Sequence, residues 1–158
     1  MRSRTFALLS IVATLGIISA ACSSSSSGGA ASPSASASAS ASGGAMGTIT
    51  VNGEKANNHG SKEVSGASSL ELEADNEGND YYFNPTVLTG KSGQKLTITV
   101  KNEGDTTHNF SLDQEHINQD VQAGKEITVS VTFPKSGDLE FYCAFHRSLG
   151  MIGELTTS

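Results

Sequence analysis

Residues 137–151 read GDLEFYCAFHRSLGM. Leu139, Phe141 and Cys143 alternate with Asp138, Glu140 and Tyr142, the period-two pattern of a strand with one buried face. The thiol therefore arrives at the inward end of a core strand. His146 and Met151 follow without alternation, where a short loop can curl back around a common point. Upstream, in TTHNFSL (residues 106–112), His108, Phe110 and Leu112 also share a face, with His108 where the strand begins. Both polar groups sit where a strand meets a loop at the edge of a core.

The same alternation recurs along the chain. Leu70, Leu72 and Ala74 alternate with Glu71 and Glu73; Leu96, Ile98 and Val100 with Thr97 and Thr99; Ile127, Val129, Val131 and Phe133 with Thr128, Ser130 and Thr132. Turn signals separate these runs: GKSGQ at 90–94, NEGD at 102–105, QAGK at 122–125 and FPKSG at 133–137. No segment carries a sustained helical repeat with caps. Residues 48–158 are thus expected to form one all-β domain, an antiparallel two-sheet β-sandwich with Greek-key crossings.

The chain opens MRSRTFALLSIVATLGIISAAC. Arg2 and Arg4 precede an apolar and small-residue run to Ala21 that is too short to favour a permanent span, which reads as a secretory signal over residues 1–21. Ile18-Ser19-Ala20-Ala21-Cys22 resembles the lipobox of bacterial lipoproteins, although Ser19 stands where leucine is usual. That resemblance implies lipid on the sulfur of Cys22 and an extracytoplasmic protein anchored to a membrane of the cell envelope; the alternative is a plain signal peptide and a released product. Residues 23–47 are Ser, Ala and Gly apart from Pro33 and Met46, so residues 22–47 are expected to be a lipidated cysteine and a disordered tether. A flexible coil of that length reaches about 25–30 Å.

The formal net charge is −6, and loss of the two signal arginines takes it to −8. Nucleic acid and anionic lipid surfaces are poor partners for such a chain, and a redox partner with a basic docking surface is a better one. The sequence holds two cysteines. With Cys22 lipidated, Cys143 is left alone, and an internal disulfide is excluded in a compartment that would permit one.

Two imidazoles, a thiolate and a thioether form a borderline-soft donor set. A trigonal His₂Cys site with a weak axial Met suits copper electron transfer. Structural zinc more often takes Cys and His throughout, and calcium or magnesium takes oxygen ligands. Cys143 alone reads equally as a small core residue, His108 as a strand-end residue and Met151 as a gap-filler. Their joint spacing, C-x2-H-x4-M with HNF upstream and GM-x-G-x-L after the loop, favours the metal site.

From YYFNPTVLTGKSGQKLTITVKNEGDTTHNFSL to GDLEFYCAFHRSLGMIGELTTS the sequence resembles the cupredoxins, and within them the plastocyanin-like bacterial proteins. The resemblance implies a type 1 site with one copper ion. His108, Cys143 and His146 would be its equatorial ligands and Met151 the axial one, with Asn109 bracing the ligand loops and donating a backbone N–H toward the cysteine sulfur. It also implies that His146 is the partly exposed ligand through which electrons pass, amid an apolar docking surface of Phe145, Leu149 and Ile152. Arg147 and Ser148 stand where relatives often carry a proline. Residues 48–68 look longer than the family's first strand and loop, and their role is left open.

The function so implied is an exported, membrane-tethered, monomeric carrier of single electrons, not an enzyme. The rival readings are an extracytoplasmic copper storage or delivery protein, a copper enzyme and a metal-free adhesion-like sandwich. His59 and His116 lie among loop formers and read as surface histidines. The acidic run Glu71, Glu73, Asp75, Glu77 and Asp80 reads as a solvated sheet face and loop, with docking of a basic partner or, without an EF-hand pattern, calcium binding as the alternatives.

Overall fold

Strand runs with one apolar face must bury it against another layer, and they do so here in two sheets and a hairpin. The structure is a computed structural model and describes residues 47–158. The expected signal, lipobox, Cys22 and tether as far as residue 46 lie outside the described residues. Gly47, expected in the tether, is the first residue of a strand.

The strands run in chain order as β1 (Gly47–Val51), β2 (Glu54–Asn58), β3 (Ser61–Glu63), β4 (Ser69–Glu77), β5 (Asp80–Asn84) and β6 (Val87–Gly90). They continue as β7 (Lys95–Asn102), β8 (His108–Leu112), β9 (Ile117–Val121), β10 (Glu126–Thr132), β11 (Asp138–Tyr142) and β12 (Ile152–Thr157). One sheet has the order β10-β7-β4-β5 and the other β3-β6-β12-β11-β8-β9, while β1 and β2 pair separately. The all-β sandwich expected from the alternation is present, with strands adjacent in space that are not adjacent in sequence.

Three pairings depart from the antiparallel expectation: β4 with β7, β12 with β6, and β3 with β6 are parallel. The reason is the crossing between layers. After β5 the chain leaves the first sheet for β6 in the second and comes back as β7, pointing the same way as β4. Alternation within a strand reports which residues face inward, and it says nothing of the direction in which a neighbour runs.

The alternating residues supply the core. Leu70, Leu72, Ala74, Leu96, Ile98, Val100, Val129, Val131 and Phe133 are all buried. At the centre, the rings of Phe83 and Phe141 meet edge to face with centroids 5.2 Å apart, and Phe110 stacks on Phe141 at 5.3 Å. Phe141 also packs over the bare backbone of Gly153 on β12, where an added Cβ would collide with the ring. These aromatics lie on β5, β8 and β11, so they join the two sheets directly beneath the ends of the strands that carry His108 and Cys143.

The outer face of β11 is covered as well. Glu140, expected opposite the core, is buried. The cover is the β1–β2 hairpin, whose Val51 and Ala56 form a second small apolar cluster with Ile152. Residues 48–68, whose role the sequence left open, thus supply a lid over one sheet and, through β3, its edge strand.

Phe141→Ala is expected to cost about 3–5 kcal/mol of unfolding free energy. A urea titration would show this as a lower midpoint with an unchanged slope, whereas an unmoved midpoint would remove the ring from its central place.

Candidate metal centre

His108 opens β8, and Cys143 stands one residue beyond β11. The loop from Cys143 to Met151 contains a single 3₁₀ turn, Arg147–Leu149, and ends directly at β12. Its closure is a matter of backbone bonding. The Cys143 N–H donates to the Met151 carbonyl at 3.0 Å, the His146 N–H to the Cys143 carbonyl at 3.1 Å, and the Met151 N–H to the His146 carbonyl at 3.2 Å. Three residues spaced three and five apart in sequence are thereby drawn into one ring of contacts.

The outcome is a cluster in which one ligating atom each from His108, Cys143 and His146 lies within 4.8 Å of the others. Cys143 Sγ is 3.4 Å from His146 Nδ1. His108, Cys143 and Met151 are buried and His146 is half-buried. Met151 is brought to the same loop by its backbone.

Burial sets the protonation of these groups. Desolvation, with the nearby His146 second, pushes the pKa of His108 down to about 4, and desolvation also lowers that of His146. Burial pushes the Cys143 thiol up, against the lowering effect of the N–H groups of Phe145, Asn109 and His146. The site therefore holds two neutral imidazoles and a thiol that is reluctant to ionise unless a cation takes the place of its proton.

One observation tests whether a metal fits. Neither ring nitrogen of His108 has a hydrogen-bond partner although both are buried. An unsatisfied buried polar atom costs about 1–3 kcal/mol, and native interiors seldom keep one. A cation coordinated by His108 satisfies one of those nitrogens, and the sulfur and second imidazole at 4.8 Å or less complete a soft donor set suited to copper.

Asn109 ties the cluster to the sheet. Its backbone N–H donates to Cys143 Sγ at 3.3 Å. Its side-chain oxygen accepts from the Ser111 hydroxyl at 2.6 Å and from the Ala144 N–H at 3.3 Å, while its amide nitrogen donates to Asn118 and Asp120. One residue thus links β8, β9 and the start of the ligand loop.

Around His146 the surface is apolar. Phe145 and Leu149 are 52% and 50% exposed, whereas Ile152 is buried against the hairpin and is not part of that surface. Sequence reasoning missed Tyr81, whose ring stacks on His146 with centroids 4.1 Å apart. It also missed Asn57, which bonds the loop from the hairpin. A lone Tyr on a short strand and an Asn among turn formers carry no local signal for either role.

Arg147, at the position where relatives often have proline, is held by charge instead. Its guanidinium donates to both carboxylate oxygens of Glu54, lies 2.7 Å from Glu140 and covers the Tyr142 ring at 4.3 Å. His116 is exposed as expected. His59 is not: it stacks flat on Tyr82 at 3.4 Å with Nε2 3.1 Å from Asp80, because the hairpin brings it onto β5. Within the acidic run, Glu73 accepts from Asn84 and Asp75 from Tyr82, so these two carboxylates have partners within their own sheet.

The family model of the cupredoxin-like domain matches residues 61–156. Among curated proteins, plastocyanin of Sambucus nigra is 32% identical over 88 residues, 48% of this chain and 87% of that protein. Chloroplastic plastocyanin of Solanum lycopersicum is 31% identical over 107 residues; the match covers 60% of this chain and 62% of the tomato protein, less than two thirds of its length. Among solved structures, a laccase-like multi-copper oxidase from Ochrobactrum sp. superimposes with a TM-score of 0.50 at 15% identity, covering 63% of this chain and 29% of the oxidase. Reduced auracyanin of Roseiflexus castenholzii gives a TM-score of 0.48 at 21% identity, covering 58% of this chain and 98% of that one.

In the metal-free protein His108 stays neutral when folded down to about pH 4 but takes a proton near its ordinary value when unfolded. Between these two values the unfolded chain binds more protons, so stability falls as pH drops through this window. The loss expected from His108 is on the order of 3 kcal/mol. Urea midpoints of the metal-free protein from pH 7 to pH 4 check it, and His108→Gln should flatten the profile.

Proposed function

Because the chain belongs to the cupredoxin-like domain family, we propose that it is an exported blue copper protein that carries single electrons between redox partner proteins. The observation that carries this reading is the gathering of His108, Cys143 and His146 within 4.8 Å, around an imidazole whose two nitrogens have no other partner. The cofactor is one copper ion. His108, Cys143 and His146 would hold it, with Met151 as a weaker fourth ligand.

Copper, when bound, supplies the one-electron change between Cu(I) and Cu(II). The protein would supply a braced frame that limits rearrangement. Cys143 and His108 are locked at strand ends above the aromatic core, and the Asn109 N–H withdraws charge from the sulfur. Burial excludes water from three of the four ligands. His146 is the half-exposed one, and Phe145 and Leu149 around it give a partner an apolar surface that desolvates readily. A site closed by buried donors admits electrons more readily than a substrate, which supports a carrier over an enzyme.

The lipobox-like Ile18–Cys22 stretch and the polar tether after it support an anchor on Cys22, with the domain outside the cytoplasmic membrane. Tether and anchor would keep the carrier within reach of membrane-bound partners.

Titrating the purified protein with Cu(II) should produce an intense thiolate-to-copper band and a narrow copper hyperfine splitting, bleached by ascorbate and restored by an oxidant. Cys143→Ser should abolish both. Loss of copper to an acceptor protein on mixing would favour storage or delivery instead. For the anchor, Cys22→Ala should move the protein from the membrane fraction to the soluble one; an unchanged distribution would remove the lipid.

A further inference from the structure

The loop between His146 and Met151 is bonded at several residues to a part of the chain outside the matched family domain. That domain begins at residue 61, and the β1–β2 hairpin precedes it. From the hairpin, the Asn57 backbone N–H donates to the Gly150 carbonyl at 2.9 Å, and Asn57 Nδ2 donates to the Leu149 carbonyl at 2.9 Å. The same Nδ2 donates to the carbonyl of Tyr81, the residue whose ring lies on His146. Glu54 takes both of its contacts from Arg147, at 2.6 and 3.1 Å. Gly150 completes the fit: its φ is +92°, and a Cβ there would lie 2.8 to 3.0 Å from the Asn57 amide.

We propose that the hairpin is a brace for the metal loop, and that Asn57 and Glu54 are positioning residues that hold His146 and Met151 at their working separation. Three of the four residues between those two, Arg147, Leu149 and Gly150, are bonded to it. Asn57 further couples the loop to Tyr81, so the orientation of the His146 ring and the path of the loop are set by one amide. A proline in the loop would restrict its backbone from within; here the restriction comes from outside, through hydrogen bonds and an ion pair. The part of this inference that concerns metal tuning rests on the copper reading above, while the bracing of the loop does not.

The test uses the full chain with Asn57→Ala and, separately, Glu54→Gln. In the metal-free protein, Asn57→Ala should speed hydrogen exchange at the Leu149, Gly150 and Met151 amides about tenfold, the effect of losing one or two hydrogen bonds. The Phe110 and Phe141 amides in the core should keep their rates. In the copper-loaded protein the same variant should shift the reduction potential and the copper hyperfine splitting and release copper to a Cu(I) chelator about tenfold faster. Glu54→Gln, which keeps a hydrogen bond but removes the charge, should give smaller changes in the same direction. Unchanged loop exchange in Asn57→Ala would overturn the brace, and altered exchange with an unmoved potential and splitting would overturn its part in tuning. Failure of the unsubstituted protein to take up copper would instead sink the proposed function and leave the exchange result to decide the brace.

Discussion

A buried thiol and a buried imidazole have to meet at the ends of strands from one sheet, and the remaining architecture follows from that requirement. The Asn109 N–H on Cys143 Sγ is the bond that holds them together, because it joins the second residue of β8 to the residue just past β11. β8 and β11 share only a short antiparallel pairing, Tyr142 with Ser111, before the chain turns away. The polar contacts of the Asn109 side chain take over where the sheet ladder stops. Beneath them Phe83, Phe110 and Phe141 form a layer that cannot shift without opening the core.

The polar face of β11 shows how an addition to a domain becomes part of its site. Glu140 could face water in a bare sandwich, but here Val51 and Ala56 close over Ile152 nearby, and Glu140 is left buried. Burial of a lone carboxylate is costly, and the remedy is Arg147 at 2.7 Å with Asn52 donating at 3.2 Å. The guanidinium that neutralises Glu140 is thus also the one that fastens the ligand loop to Glu54. The hydrogen bonds that Arg147 donates to Glu54 strengthen its hold on its proton, and in return Arg147 keeps the Glu54 carboxyl below the usual range.

Much of this was legible in the order of residues. Period-two runs marked the inner faces of β4, β7, β10 and β11, and the spacing of Cys143, His146 and Met151 marked the loop. The hairpin carried a signal that was missed: Ile49 and Val51 alternate with Thr48 and Thr50, and Asn52-Gly53 is a tight-turn dipeptide. What the hairpin covers was not legible. His59 was misread because its burial comes from stacking on Tyr82, which is distant in sequence. Neither Tyr81 on His146 nor Asn57 on Leu149 could be inferred, because each depends on which strand lies beside the loop in space.

The sequence by itself determined the kind of fold and the donor set. Alternation is a local property imposed by the pleat, and the affinity of soft donors for copper belongs to the residue types. Tertiary structure decided the rest: which strands run parallel, which acidic groups are buried, and how the ligand loop is held. These depend on contacts between residues far apart in the chain, Glu54 with Arg147 and Asn57 with Leu149 among them. Their energies exist only after the layers have packed.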